Sequence, residues 1–125
     1  MHLVPKLCAL AVIAVLLPGA AVAEEVKMTA EEVSEALTDR TAIYEGDVIR
    51  QFFAKSGSTP YWDGSRLTHG SWRVTGDQYC SVWPPQNVWA CYDMFWTEDG
   101  GVVWVGKSGD RYPARMVDGD QMAAQ

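Results

Sequence analysis

The segment 72–96 constrains the fold most strongly, because it carries four of the six tryptophans and two of the three cysteines of the chain. Two runs rich in β-branched and aromatic residues flank the sequence WPPQN at positions 83–87. Proline and asparagine mark turns, while such flanking runs are typical of strands. The pattern therefore predicts one hairpin, with strands over 78–83 and 88–96.

The two cysteines are predicted to lie directly opposite each other in this hairpin. If Trp83 and Val88 flank a four-residue turn, Cys80 lies directly opposite Cys91. Opposed residues of antiparallel strands have Cα atoms ~4.5 or ~5.5 Å apart, and both spacings allow a disulfide. Redox or metal chemistry is the alternative, but the chain has no CxxC motif and no third thiol nearby. We therefore expect a structural disulfide between Cys80 and Cys91.

The same register gives the hairpin two unlike faces, both with large aromatic side chains. One face is expected to carry Cys80, Val82, Trp89 and Cys91, and the other Tyr79, Ser81, Trp83, Val88, Ala90 and Tyr92. A one-sided antiparallel strand would alternate apolar with polar residues. One face must therefore be core, and the other is covered by a helix, lines a cavity or remains exposed as a contact surface.

Residues 1–23 have the pattern of a secretory signal peptide. The basic Lys6 precedes an apolar run over 7–17, and the small residues AVA at 21–23 form a cleavage site. A membrane anchor is the alternative, but the run is shorter than the ~20 residues that a spanning helix needs. Cys8 opens the apolar run instead of following it, which argues against a lipoprotein. We predict an exported protein, periplasmic or secreted, with no membrane span in the mature chain.

The mature chain is predicted to be mainly β (α+β), with one helix before a meander. Thr29 and Glu32 have the spacing of a capping box, with Met28 and Val33 as the hydrophobic staple, so a helix is expected over 30–38. About eight short antiparallel strands follow, at 41–45, 48–55, 59–63, 66–74, 78–83, 88–96, 102–105 and 111–117. Their spacing is typical of a small barrel or sandwich. The prediction is one β-rich domain over 24–118 and a loose tail over 119–125.

Charge excludes some partners. Sixteen acidic residues outnumber ten basic ones, for a net charge of −6, and loss of Lys6 makes the mature chain one charge more negative. Nucleic acids and anionic membrane surfaces both favour clustered lysine and arginine, so we predict neither as a partner. Solubility is the simplest explanation of the acidity.

The sequence offers little catalytic chemistry. No nucleophile elbow, phosphate-binding loop, metalloprotease helix or dinucleotide fingerprint occurs, so we predict no catalytic residues, no metal site and no cofactor. His69 is the one histidine after residue 23, and a small hydrolase using His69 with a carboxylate is the alternative hypothesis. A polar surface histidine explains the same residue without chemistry.

The favoured hypothesis is a non-enzymatic binding module. The chain is rich in aromatic residues, all of which follow residue 23, and aromatic side chains stack on flat or ring-shaped ligands. Filling the core of a small β fold is the alternative use of these residues. A small molecule, a glycan or a protein is the expected partner, and inhibition of a periplasmic enzyme is a further alternative. The candidate ligand-binding residues are Trp62, Tyr79, Trp83, Trp89 and Tyr92.

Three short segments carry a family resemblance. GSWRV at 70–74, YCSVW at 79–83 and CY at 91–92, with Thr41 and WDG at 62–64, resemble a family of small exported proteobacterial proteins catalogued as a domain of unknown function. The resemblance covers most of 28–117. It implies a periplasmic β-rich domain with one disulfide, and it implies no activity.

Overall fold

The computed structural model describes residues 25–123, and the predicted signal peptide 1–23 lies outside them. The described chain begins with a two-residue strand and one helix, after which every element is a strand. The elements are β1 (Val26–Lys27), α1 (Ala30–Leu37), β2 (Arg40–Tyr44), β3 (Arg50–Phe53), β4 (Ser58–Trp62), β5 (Leu67–Thr75), β6 (Gln78–Val82), β7 (Ala90–Trp96), β8 (Val102–Val105) and β9 (Arg111–Asp118).

The strands close into a barrel. From β2 to β9 each strand pairs antiparallel with the next, and β9 returns to pair with β2. The result is an eight-stranded up-and-down barrel, to which β1 adds an extra strand beside the end of β7. Closure leaves the eight strands without free edges, which an open meander would expose. The predicted fold class is confirmed, as a barrel and not a sandwich.

Helix α1 packs across one end of the barrel. Thr29 accepts from the Glu32 backbone N–H while the Glu32 carboxylate accepts from the Thr29 N–H, so the predicted capping box is present. Val33 and Leu37 are fully buried on the apolar face of the helix, and they join the same core as the strands. The Ala30 N–H donates to Asp77 in the β5–β6 turn, which ties the helix to this end.

The core beneath the helix is aromatic. The Phe53 ring contacts the rings of Trp72, Tyr79 and Trp104, with centroids 5.7 to 5.9 Å apart. Two of these contacts are edge-to-face, the arrangement that the quadrupoles of aromatic rings favour. The indole N–H of Trp72 donates to the Ala54 carbonyl, so this tryptophan buries its ring without losing a hydrogen bond. Aromatic side chains thus fill the barrel beneath the helix.

The cysteine hairpin has the predicted register. Cys80 pairs directly with Cys91, and the two form a disulfide with a Cα–Cα distance of 4.0 Å. The connection is longer than predicted, because β6 ends at Val82 and β7 begins at Ala90. The expected strand start at 88 was therefore wrong, and residues 83–89 form a loop in which Pro84 and Pro85 supply no N–H for pairing.

Both ends of the described chain are fastened to the barrel. Val26 and Lys27 pair with Trp96 and Phe95, so a strand that the sequence did not predict precedes the helix. At the other end, the Thr41 hydroxyl donates to the Gly119 carbonyl and accepts from the Gln121 N–H. The first residues of the predicted tail thus cover Thr41 on the outer wall, where it is fully buried.

Candidate functional site

The end of the barrel opposite α1 is open and forms a cavity of about 920 Å³. Binding cavities for small molecules have similar volumes, ~300–1,000 Å³. All five tyrosines of the chain line it, namely Tyr44, Tyr61, Tyr79, Tyr92 and Tyr112. Tyrosine offers a ring face for apolar contact and a hydroxyl for hydrogen bonding. Every tyrosine of the chain therefore lies at one site.

Strand alternation explains how distant tyrosines converge. Side chains of a strand point alternately into and out of a barrel, so residues two apart share a face. Tyr79 and Tyr92 are directly paired across β6 and β7, and their ring centroids lie 5.9 Å apart. Tyr44 and Tyr61 meet at 6.3 Å across the mouth, and Tyr92 contacts Tyr112 at 6.2 Å. The rings form a nearly continuous aromatic wall.

A buried glutamine organises the base of the cavity. Gln51, at 4% exposure, projects inward from β3. Its amide accepts from the Tyr44 hydroxyl at 2.8 Å and donates to Tyr79 and Thr59 at 3.1 and 3.0 Å. A buried amide is tolerated only when its donors and acceptor are used. The network fixes two tyrosine hydroxyls at the level where the core ends and the cavity begins.

Burial keeps the hydroxyls of Tyr44, Tyr61, Tyr79 and Tyr92 protonated at neutral pH. Burial raises the pKa of Tyr79 to about 12, and the polar side chains of Ser81 and Gln51 offset part of the shift. Burial also raises the pKa of Tyr44, and it raises those of Tyr61 and Tyr92 with smaller contributions from nearby acidic groups. Low polarity disfavours the charged phenolate. The cavity wall is thus uncharged and carries O–H groups.

Trp83 completes the wall, and Gly70 makes room for it. The Trp83 indole donates to the Ser81 hydroxyl at 3.1 Å and meets the Tyr61 ring edge-to-face at 5.9 Å. A Cβ atom on Gly70 would lie only 2.6 Å from Trp83 Cε3. Glycine is therefore required in the middle of β5, where it otherwise weakens a strand.

One buried donor near the cavity base lacks a partner. Trp104 lines the cavity at 3% exposure, and among residues 25–123 its indole N–H finds no hydrogen-bond acceptor. Leaving such a group unpaired costs about 1–3 kcal/mol. Ring contacts with Tyr44 at 5.6 Å and Tyr79 at 6.0 Å hold the indole in place.

The structure brings together three of the five predicted ligand-binding residues. Tyr79, Trp83 and Tyr92 line the cavity. Trp62 and Trp89 do not line it. Trp62 follows the inward-facing Tyr61 in β4 and so faces outward. Trp89 lies in the loop before β7 with the Arg73 guanidinium 3.9 Å from its ring centroid, a cation–π contact on the outer wall.

Several residues of the site were not among the predicted ligand-binding residues. They include Tyr44, Gln51, Tyr61, Gly70, Trp104 and Tyr112. Two signals were available. Gln51 interrupts an apolar strand with an inward polar residue, and glycine is unusual in the middle of a long strand. Neither signal identifies a shared site until the order of the strands is known.

His69 does not form a catalytic constellation. It lies exposed at the cavity rim, and none of the ion pairs formed by residues 25–123 involves it. In the same part of the chain no three histidine, cysteine or acidic side chains are grouped to hold a metal ion. The described residues also include no helix long and apolar enough to cross a membrane. Among residues 25–123, His69 therefore has no ion-paired carboxylate to orient it as a general base.

Known proteins give no further guidance. No protein-family model matches the chain, and no curated protein or solved structure is significantly similar to it.

Proposed function

We propose that this protein is a non-enzymatic binding module that holds a small molecule in the open end of its barrel. One observation carries the proposal. All five tyrosines line a single cavity of about 920 Å³, on a chain whose opposite barrel end is closed by a helix. Eight-stranded barrels are just wide enough to fill their interior with side chains or to hold one small ligand.

Core filling alone does not account for these residues. Phe53, Trp72 and Trp104 are buried in close ring contact, so the end of the barrel beneath α1 is already filled. Above the level of Gln51, Tyr61 and Tyr92 are only partly covered and face open space. A purely structural barrel of this length would favour branched aliphatic side chains there, which bury apolar area without a hydroxyl to satisfy.

The charge of the cavity supports a small molecule over a protein or an anionic polymer. The charged lining residues Glu45 and Arg111 both lie exposed at the rim. Arg111 is paired with Glu25, which lowers its value as an anion anchor. The wall below is aromatic and neutral, and it therefore suits a ligand with ring faces.

A filled-cavity variant tests the proposal. Thr68 lines the cavity beside Tyr61, with which it is paired across β4 and β5. A tryptophan in its place, Thr68→Trp, would therefore occupy the volume available to a ligand. Ser71→Trp introduces the same side chain on the exposed outer face of the same strand and is the matched control. Ligand-observed NMR with a library of neutral one- and two-ring compounds measures binding.

Compounds from that library are expected to bind the wild-type chain and Ser71→Trp, and to lose binding to Thr68→Trp. Near-ultraviolet circular dichroism checks that both variants are folded. Equal binding to Thr68→Trp, or no binding to the wild-type chain, contradicts the proposal.

We also propose that the protein is exported. The Cys80–Cys91 disulfide supports this, because disulfides persist in oxidising compartments. Membership of the family of small exported proteobacterial proteins stays a prediction. Mass determination of the chain from its native host tests export, since a mature protein that begins at Glu24 is expected.

A further inference from the structure

The hydrogen bonds at the cavity base have a defined direction. The Thr59 hydroxyl donates to the Phe52 carbonyl at 2.7 Å, because a carbonyl only accepts. Thr59 must then accept from Gln51, which fixes the amide nitrogen on that side. The same nitrogen donates to the Tyr79 hydroxyl, and the amide oxygen accepts from Tyr44. Each bond in this series determines the next.

Tyr79 therefore uses its oxygen as an acceptor and keeps its own proton. The neighbouring Ser81 hydroxyl also uses its oxygen as an acceptor, from the Trp83 indole at 3.1 Å. No hydrogen bond among residues 25–123 uses the proton of Tyr79 or of Ser81. A bond between the two hydroxyls would use one of these protons, so at least one O–H of the pair is free to donate.

The base holds a second uncommitted donor. The indole N–H of Trp104 can only donate, and within the described part of the chain it has no acceptor. Tyr79, Ser81 and Trp104 are all buried and all line the same cavity. Buried donors of this kind are normally satisfied, so their presence together indicates an acceptor that arrives with a ligand.

The absence of charged lining residues at the base, among residues 25–123, favours an uncharged acceptor on the ligand over an anionic one. The lining residues that carry charge are at the rim, while the base consists of Gln51, Tyr79, Ser81 and Trp104. Burying a carboxylate or phosphate there without a cation would cost more than neutral donors return. A carbonyl oxygen accepts the same hydrogen bonds without that cost.

We infer that the cavity takes an uncharged ring compound whose carbonyl oxygen accepts from the Tyr79–Ser81 pair, while its ring stacks on the tyrosine wall. This inference rests on the proposed function. It names the ligand class, which the cavity volume alone does not.

Matched probes distinguish binding in the cavity from a preference for an uncharged carbonyl compound. Acetophenone and α-methylstyrene have nearly the same shape, and the ketone oxygen of one is a CH₂ group in the other. Benzoate replaces the ketone by a carboxylate. NMR titration of the mature chain with each probe gives three dissociation constants. The ketone is expected to bind roughly fivefold more tightly than the hydrocarbon, the usual effect of one neutral hydrogen bond, and more tightly than benzoate.

Variants assign the preference to the donors. Tyr79→Phe removes the O–H while keeping the ring, and Ser81→Ala removes its neighbour. Each is expected to reduce the ketone-over-hydrocarbon ratio, and the double variant to bring it close to one. Ser71→Ala, on the exposed outer face of β5, should leave the ratio unchanged. The ratio compares two probes on one protein, so a general loss of stability does not mimic the result.

The outcomes are distinct. Binding of both neutral probes with equal affinity, abolished by Thr68→Trp, overturns the donor inference and leaves the proposed function standing. Tighter binding of benzoate overturns the uncharged class. An unchanged ratio in the double variant removes Tyr79 and Ser81 as the donors. If no probe binds in a way that Thr68→Trp abolishes, the proposed function itself fails.

Discussion

Replacement of Gly70 by alanine tests how the cavity wall is built. A Cβ at this position would lie 2.6 Å from Trp83 Cε3 and 2.7 Å from the Val82 carbonyl oxygen. Real side chains do not approach so closely, so the indole has to leave its place against Gly70. Elsewhere, glycine-to-alanine changes with compatible backbone angles stabilise a protein by about 0.4–1 kcal/mol. Here the expected sign is the opposite.

The magnitude follows from the contacts that the Trp83 indole would lose. Its hydrogen bond to Ser81 is of a type that contributes about 0.5–1.5 kcal/mol. Its edge-to-face contact with Tyr61 is of a type that contributes a further ~0.5–1.5 kcal/mol. Gly70→Ala should therefore lower the free energy of unfolding by about 1–3 kcal/mol, measured by urea denaturation.

A double-mutant cycle isolates the cause. In a Trp83→Ala background the clash with the indole is absent, so Gly70→Ala should cost less there than in the wild-type chain. Only the contact with the Val82 carbonyl remains. An equal cost in both backgrounds, or a Gly70→Ala chain as stable as the wild type, would refute the reasoning.

Three further predictions concern stability. Thr29→Ala removes the side-chain half of the capping box and should lower the free energy of unfolding by about 1 kcal/mol, measured by urea denaturation, whereas an effect below the measurement error would contradict the role of the cap. Burial raises the pKa of Tyr79 to about 12 from its ordinary 10.0. The contribution of the protonated Tyr79 to the free energy of unfolding is therefore fully present below pH 10 and is lost as the pH rises towards 12. That loss is roughly 2–3 kcal/mol by the linkage relation, and unfolding free energies that are flat from pH 9 to pH 12 would argue against it. Replacement of Cys80 and Cys91 together by serine opens a loop of sequence separation 11 and should cost about 2–3 kcal/mol by chemical denaturation, and unchanged stability would show that the disulfide is dispensable.

Local patterns in the sequence predicted local structure well. The Thr29–Glu32 spacing identified the cap, and the pairing register of the hairpin predicted that Cys80 lies opposite Cys91. Both depend on residues close in the chain, where backbone geometry leaves few alternatives. The strand start at 88 was wrong because pairing between β6 and β7 stops at Ser81 and Ala90, and periodicity does not show where pairing ends.

The site depends on which face of each strand points inward, and this is a property of the closed barrel. Trp62 and Tyr61 are neighbours with similar strand preference, yet only Tyr61 lines the cavity. A shift of one residue exchanges the two faces of a strand, so composition alone does not choose between them. The extra strand β1 was missed for a related reason, since Val26 and Lys27 pair with a distant partner, β7.

The indole N–H resonances of the tryptophans test the central claim most directly. Trp83 and Trp104 line the cavity, whereas Trp62 and Trp89 lie on the outer wall. In a ¹H–¹⁵N spectrum, titration with acetophenone is expected to shift the Trp83 and Trp104 indole signals and leave those of Trp62 and Trp89 in place. Shifts confined to Trp62 and Trp89 would place binding on the outer wall and contradict a ligand site in the barrel.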